Sequence, residues 1–235
     1  MIRGVLFDLD DTLYDHAYSA RFALTALAGS APSLAALAGD ELERRYHRIL
    51  EEVHPRVLSG ELGPDAARLE RYRRLFASVG EQPSDGELAK LGLVARQAYR
   101  ANQRPVPGTL ALLSALRERG VVAAIVSNNL KLEQEGKLRD TGMSGLIDHL
   151  VVSEEAGSVK PDPGIFRVAL KRAGLAAEEA RMLGDNWAAD IEGALNAGIS
   201  AVWFNRAGSS PPRPGIPELR SLEPTDRALG VLLGG

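Results

Sequence analysis

Two hydrophobic rhythms divide the chain. Between Tyr14 and about Arg104, apolar residues recur three or four apart, as in Leu42, Tyr46, Ile49, Leu50 and Val53, and again in Leu69, Tyr72, Leu75, Phe76 and Val79. That spacing predicts amphipathic helices. Gly60-Glu61-Leu62-Gly63-Pro64 and Glu81-Gln82-Pro83-Ser84-Asp85-Gly86 are turn signals between them. The uncharged stretch Phe22–Gly39 approaches membrane-spanning length, but Gly29-Ser30-Ala31-Pro32 breaks it, so it predicts two short helices. No segment of this block reads as a strand.

From Pro105 the rhythm changes. Helical patterns over Thr109–Arg119, Lys131–Asp140, Pro163–Ala173 and Trp187–Ala197 alternate with short apolar runs at Val121–Val126, Val151-Val152, Met182-Leu183 and Ile199–Phe204. Strands alternating with helices imply a parallel sheet covered on both faces, an α/β fold with a doubly wound sheet. The opening run Ile2–Phe7 belongs with this half. The expected organisation is therefore an α/β core from residues 1–13 and 105–235, with an inserted all-helical domain at 14–104. The Pro-rich Ser209–Pro217 reads as a surface crossing before a last helix.

Composition narrows the function classes. The 235 residues are 45% hydrophobic and 25% charged, with a formal net charge of −3. This is enough apolar material for a core and no basic footprint for nucleic acid. With no cysteine, disulfides, thiolate nucleophiles and Cys-ligated zinc are excluded. The first apolar run is cut by Asp8 and Asp10, unlike the core of a signal peptide. The expectation is a soluble cytoplasmic protein with neither a nucleic-acid nor a membrane partner. Nothing in the pattern fixes an oligomeric state.

The chemistry lies where the strands stop. Phe7 runs into Asp8-Leu9-Asp10-Asp11-Thr12, Val126 into Ser127-Asn128-Asn129, and Val152 into Ser153-Glu154-Glu155 with Lys160 shortly after. Leu183 runs into Gly184-Asp185-Asn186, with Asp190 within the next turns. Open α/β sheets bind ligands outside the carboxyl ends of their strands. Asp8, Asp10, Asp185 and Asp190 would repel one another there unless a hard divalent cation joined them, and an oxygen-only donor set suits Mg²⁺. Lys160 precedes Pro161, and Asp162-Pro163 reads as a helix cap and first helical residue, so the lysine is held just before a helix start. A metal, carboxylates, a lysine and a hydroxyl are parts suited to phosphoryl transfer.

Asp8-Leu9-Asp10-Asp11-Thr12, Ser127-Asn128, Lys160-Pro161 and Gly184-Asp185…Asp190 resemble the four ordered motifs of the haloacid dehalogenase superfamily, in its phosphatase branch. The helical block resembles that superfamily's cap of the first type. The resemblance implies a Rossmann-like core and a Mg²⁺-dependent phosphatase acting on small phosphomonoesters such as nucleotides or sugar phosphates. It implies Asp8 as nucleophile through an aspartyl-phosphate, and Asp10 as acid to the leaving oxygen and then base to water. It further implies Ser127 as a phosphoryl contact, Asn128 as another through its backbone or side chain, Thr12 as an orienting residue of the loop at the substrate, and Lys160 as counter-charge. Mg²⁺ would be held by Asp8, the Asp10 main-chain carbonyl and Asp185, with Asp190 acting through water or from behind. Tyr14 and His16, at the cap entrance, are the expected substrate contacts. Asn129 stands where many relatives carry glycine and touches no expected catalytic role. Two alternatives compete. One is a haloacid dehalogenase-type hydrolase, disfavoured by Asp10. The other is a non-catalytic, receiver-like phospho-acceptor or binding protein, disfavoured by the large insertion and the late Gly-Asp motif.

Overall fold

A computed structural model describes residues 1–37 and 39–234. The chain forms two compact units, Met1–Asp15 with Arg104–Gly235, and His16–Gln103. Tyr14, Asp15 and Arg104, expected in the helical block, thus belong to the α/β unit. Backbone hydrogen bonding is the reason. The Tyr14 N–H donates to the Leu9 carbonyl at 2.8 Å, Tyr14 bridges to Pro105, and the Asp15 N–H donates to the Arg104 carbonyl at 3.1 Å. The buried Asp15 carboxylate also accepts from Arg104 at 2.7 Å and Arg206 at 3.0 Å, so the outgoing and returning segments are clasped before they diverge.

The helical unit contains α1 (His16–Gly29), α2 (Pro32–Ala35), α3 (Gly39–Leu58), α4 (Pro64–Ala77) and α5 (Asp85–Ala101). The break at Gly29–Pro32 separates α1 from α2 as the sequence predicts. A capping box starts α5, with the Ser84 and Glu87 side chains each meeting the other's backbone N–H. Leu24, Leu27, Leu34, Leu42, Ile49, Val53, Leu75, Phe76 and Leu88 share one apolar core. Three arginines of α4 are paired with acids, Arg68 with Asp65, Arg73 with Glu70 and Asp85, and Arg74 with Glu70 and Glu52, which makes a solvated, salt-bridged face. Among the described residues no helix is long and apolar enough to cross a membrane.

The α/β unit is built on β1 (Gly4–Phe7), β2 (Val122–Ser127), β3 (His149–Val152), β4 (Ala180–Gly184), β5 (Ser200–Phe204) and β6 (Glu218–Leu219). They form one parallel sheet in the order β3-β2-β1-β4-β5-β6. The two-residue β6 is too short for a pattern to announce and closes the Pro-rich crossing against Trp203 and Phe204. The helices are α6 (Thr109–Glu118), α7 (Lys131–Asp140), α8 (Ser153–Ala156), α9 (Pro163–Ala173), α10 (Gly193–Asn196) and α11 (Thr225–Leu233). Leu6, Val126 and Met182 pack with Ile165 and Phe166 of α9. By the two-residue strand period, Val5 and Phe7 face the opposite side, where α6 and α11 pack. Burial on both faces explains why these strands read as unbroken apolar runs.

The helix expected over Trp187–Ala197 divides. Trp187–Glu192 is π-helical and only Gly193–Asn196 is α-helical. The Asn186 side chain caps the Ala189 N–H at 2.9 Å, the Asn186 N–H donates to Asp190 Oδ2 at 3.0 Å, and the Asp190 N–H returns to the Asn186 carbonyl at 2.8 Å. The widened turn folds Asp190 back beneath the end of β4, a use of π-geometry common at functional sites.

Candidate active site

The β1 ladder extends one residue past Phe7, because the Asp8 N–H donates to the Leu183 carbonyl at 2.9 Å. The chain then turns sharply around the Leu9 carbonyl, which accepts from Thr12, Leu13 and Tyr14. Asp11 takes the left-handed conformation at φ 61°, which Asp tolerates better than most residues. Across the sheet edge, Lys160 Nζ donates to Asp8 Oδ1 and to Asp190 Oδ1, each at 2.6 Å, with the lysine side chain only 3% exposed. Thr12 Oγ1 donates to Asp185 Oδ1 at 3.3 Å, and the Trp203 indole N–H holds the Asp185 carbonyl at 2.9 Å. Carboxylate oxygens of Asp8, Asp185 and Asp190 lie within 4.8 Å of one another.

Electrostatics follow from crowding buried acids around one cation. Burial pushes the Asp8 carboxyl well above the usual carboxylate range, against the pull of Lys160, and Asp190, Asp185 and Asp10 push it further. Asp185 is pushed up to about 7 by burial and then by the charges of Asp190 and Asp11. Burial opposes the charge on Lys160, but Asp190 and Asp8 outweigh it and raise its pKa, so it remains an ammonium. One ammonium does not neutralise three carboxylates. The donors are all oxygen and mostly buried, which fits a hard divalent cation and not a soft one.

The structure brings Asp8, Lys160, Asp185 and Asp190 into direct or near contact. Asp10 and Ser127 are joined through Gln134, whose Nε2 donates to Ser127 Oγ at 2.6 Å and to Asp10 Oδ2 at 3.1 Å. The remaining expected residues have particular partners. The Asn128 side chain accepts from the Lys160 N–H at 2.6 Å and donates to the Lys160 carbonyl at 2.8 Å, so the side chain holds the lysine's backbone. Thr12 is wholly buried against Asp185 and serves that acid. Both Asp190 oxygens are engaged, one by Lys160 and one by the Asn186 N–H, which makes it an anchor for the lysine. Tyr14 is buried with Lys137 Nζ 5.2 Å from its ring centroid, so the expected substrate contact becomes a supporting one. His16 opens α1 in the helical unit, its Nδ1 2.9 Å from the Tyr99 hydroxyl.

Three residues of α7 and the loop before it escaped the sequence reading. Lys137 Nζ meets both Asp10 oxygens at 2.6 and 2.8 Å, Gln134 bridges Asp10 to Ser127, and Asn129 Nδ2 reaches Asp10 Oδ2 at 3.4 Å. Asn129, for which the resemblance gives no catalytic role, touches the second acid. A signal for the other two existed, because Gln134, Lys137, Leu138 and Thr141 are spaced as one helix face. A lysine in Lys-Leu-Glu-Gln-Glu-Gly-Lys still reads as solvated until its burial is known.

Gly184 tests how tightly the site is built. A Cβ there would fall 2.3–2.5 Å from the Asp190 side chain. Gly184→Ala is expected to cost about 1–3 kcal/mol of stability through overpacking, read as a lower Tm. A Tm equal to that of the parent would show that Asp190 is not packed against β4 as described.

Residues 2–198 match the model of the haloacid dehalogenase-like hydrolases. The chain is 30% identical over 207 residues to a glyceraldehyde 3-phosphate phosphatase of Methanothermobacter thermautotrophicus, covering 87% of this chain and 86% of that one. It is 32% identical over 214 residues to a ribulose-1,5-bisphosphate 5-phosphatase of Halopiger xanaduensis, covering 89% and 87%. Among solved structures, the HAD-hydrolase YfnB of Bacillus subtilis, bound to magnesium, superposes with a TM-score of 0.78 at 26% identity over 97% of this chain and 99% of that one. Sequence and fold agree with the strand-end constellation, and the chain belongs to the haloacid dehalogenase-like hydrolases.

Proposed function

We propose that this protein is a Mg²⁺-dependent, cytoplasmic phosphatase of small phosphomonoesters. The observation that carries this reading is the pair of carboxylates two residues apart. Asp8 is buried against Lys160 and Asp185, and Asp10 is held separately by donors of α7. The phosphatase names of the relatives support it.

An Asp8 oxygen attacks phosphorus, and the ester oxygen departs with a proton from Asp10, leaving an aspartyl-phosphate and the Asp10 carboxylate. Asp10 then takes a proton from water as that water attacks phosphorus, and the bond to the Asp8 oxygen breaks. Lys160 and the Ser127 hydroxyl offset charge on the phosphoryl oxygens. Asp8, Asp185 and the Asp10 carbonyl would hold Mg²⁺, with Asp190 behind them, and the ion would supply charge neutralisation for the phosphoryl group. The helical unit is proposed as a cap that limits substrates to small metabolites, with His16 as a substrate contact.

The test is phosphate release from p-nitrophenyl phosphate, a sugar phosphate, a mononucleotide and a phosphopeptide. Chelation is expected to abolish turnover and Mg²⁺ to restore it, with kcat/KM lowest for the phosphopeptide. Activity that survives exhaustive chelation would overturn the metal assignment, and halide release from a haloacid without phosphate release would favour a dehalogenase. Stability gives an independent readout. The raised Asp185 pKa means that the metal-free fold keeps a proton that the unfolded chain releases at its usual pKa of about 3.9. Metal-free stability therefore falls as pH rises from there through about 7. Mg²⁺ replaces that proton, so its effect on Tm should be larger at pH 8 than at pH 5.

A further inference from the structure

The buried face of α7 is polar where a packing helix would be apolar. Gln134, Lys137 and Leu138 are its buried positions, and Thr141, one turn on, is buried too. The Lys137 ammonium is bidentate on Asp10, at 2.6 and 2.8 Å, with a side chain 8% exposed against 27% for Asp10. Its other neighbour is the face of the buried Tyr14 ring, which favours a cation. The Thr141 hydroxyl donates to the Lys137 carbonyl at 2.5 Å and fixes the backbone from which the lysine extends.

Gln134 completes the arrangement. In its carboxylate form, the form that serves as base, Asp10 only accepts, and the Gln134 amide nitrogen faces it. The two amide hydrogens then serve Asp10 Oδ2 and Ser127 Oγ, while Gln134 Oε1 is buried with no partner among the described residues. Leaving a buried carbonyl unpaired costs about 1–3 kcal/mol, so an orientation that accepts this cost calls for a compensating use. The use is visible at Ser127. With its oxygen accepting from Gln134, the Ser127 hydroxyl still has its single hydrogen to donate, and a phosphoryl oxygen is the acceptor that the phosphatase reading supplies.

We propose that Lys137 and Gln134 are positioning residues that hold the Asp10 carboxylate and the Ser127 hydroxyl in their reactive orientations. The proposal rests on the phosphatase reading given above. Both act through Asp10 and Ser127, which carry the proton transfer and the phosphoryl contact. Lys137 keeps Asp10 aimed at the departing oxygen, and Gln134 ties that aim to the phosphoryl contact at Ser127, so acid and phosphate donor are set as one unit.

The experiment compares kcat/KM for p-nitrophenyl phosphate and for glycerol phosphate in the holoenzyme with Mg²⁺. This ratio reports steps up to departure of the leaving group, and p-nitrophenol departs with little protonation. Lys137→Met is expected to lower kcat/KM for glycerol phosphate by about 10–100-fold, toward the scale of lost general acid catalysis, and that for p-nitrophenyl phosphate by less than about 5-fold. In an Asp10→Asn background the same substitution should add no further loss, because the residue it positions is already disabled. Equal losses on both esters, or full additivity with Asp10→Asn, would show a merely structural lysine and overturn the proposal. If Lys137→Met fails to fold, Lys137→Gln keeps a donor and most of the volume and is expected to give the same split at smaller amplitude. An Asp10→Asn variant that treats both esters alike would instead refute the acid–base reading beneath the proposal.

Discussion

Asp8→Asn is expected to abolish turnover of every phosphomonoester, by about 10⁴-fold or more, the scale seen when a nucleophile is removed from a preorganised site. The fold should tolerate the change. Asp8 lies at the end of β1, where its backbone N–H is held by Leu183 whatever the side chain. An Asn Oδ1 still accepts from Lys160, and Lys160 keeps its second partner, Asp190. The substitution also removes a buried carboxyl whose charge burial disfavours. In chelator the variant should therefore melt close to the parent or above it, while its activity is gone. Steady-state rates and thermal melts on the same preparation check both halves. Turnover retained within tenfold would mean that Asp8 is not the nucleophile.

Lys160→Met carries the second large effect, on activity and stability together. The lysine is the counter-charge for Asp8 and Asp190, whose side chains are 11% and 1% exposed. Removing one partner of a buried ion pair and leaving the other uncompensated costs about 3–5 kcal/mol. Turnover should fall about 10²–10³-fold, as when one donor to a developing anion is lost. The pH dependence has a definite sign. Without the ammonium, the Asp8 carboxyl, already raised by burial, holds its proton to still higher pH than it does in the unfolded chain, so the folded state loses stability as pH rises. The Tm deficit of Lys160→Met in chelator should be larger at pH 8 than at pH 5. A variant that melts like the parent at both would show that Asp8 and Asp190 do not depend on the lysine.

The route by which Lys160 is placed shows the boundary between pattern and packing. Its position before Pro161 and the Asp162 cap of α9 is local, and the Asp162 side chain does accept from the Gly164 N–H. Its orientation is not local. It depends on Asn128, 32 residues away, which pairs with both the N–H and the carbonyl of Lys160. Trp203 likewise holds the Asp185 carbonyl from β5, and Gly193 lets α10 approach Pro161 and Phe166, where a Cβ would fall 2.8–2.9 Å from Phe166 and the Pro161 backbone.

By itself the sequence determined the alternation of strands and helices, the inserted helical block, and the acids, hydroxyl and lysine at the strand ends, because side-chain periodicity and turn chemistry are properties of neighbouring residues. Only the tertiary structure decided the partners: Asp15 clasped by Arg104 and Arg206, Thr12 turned to Asp185, Asp190 folded back by a π-helical turn, and Lys137 and Gln134 buried on Asp10. Those contacts join residues up to 191 positions apart, and a polar side chain carries no local mark of burial until the opposing surface is in place.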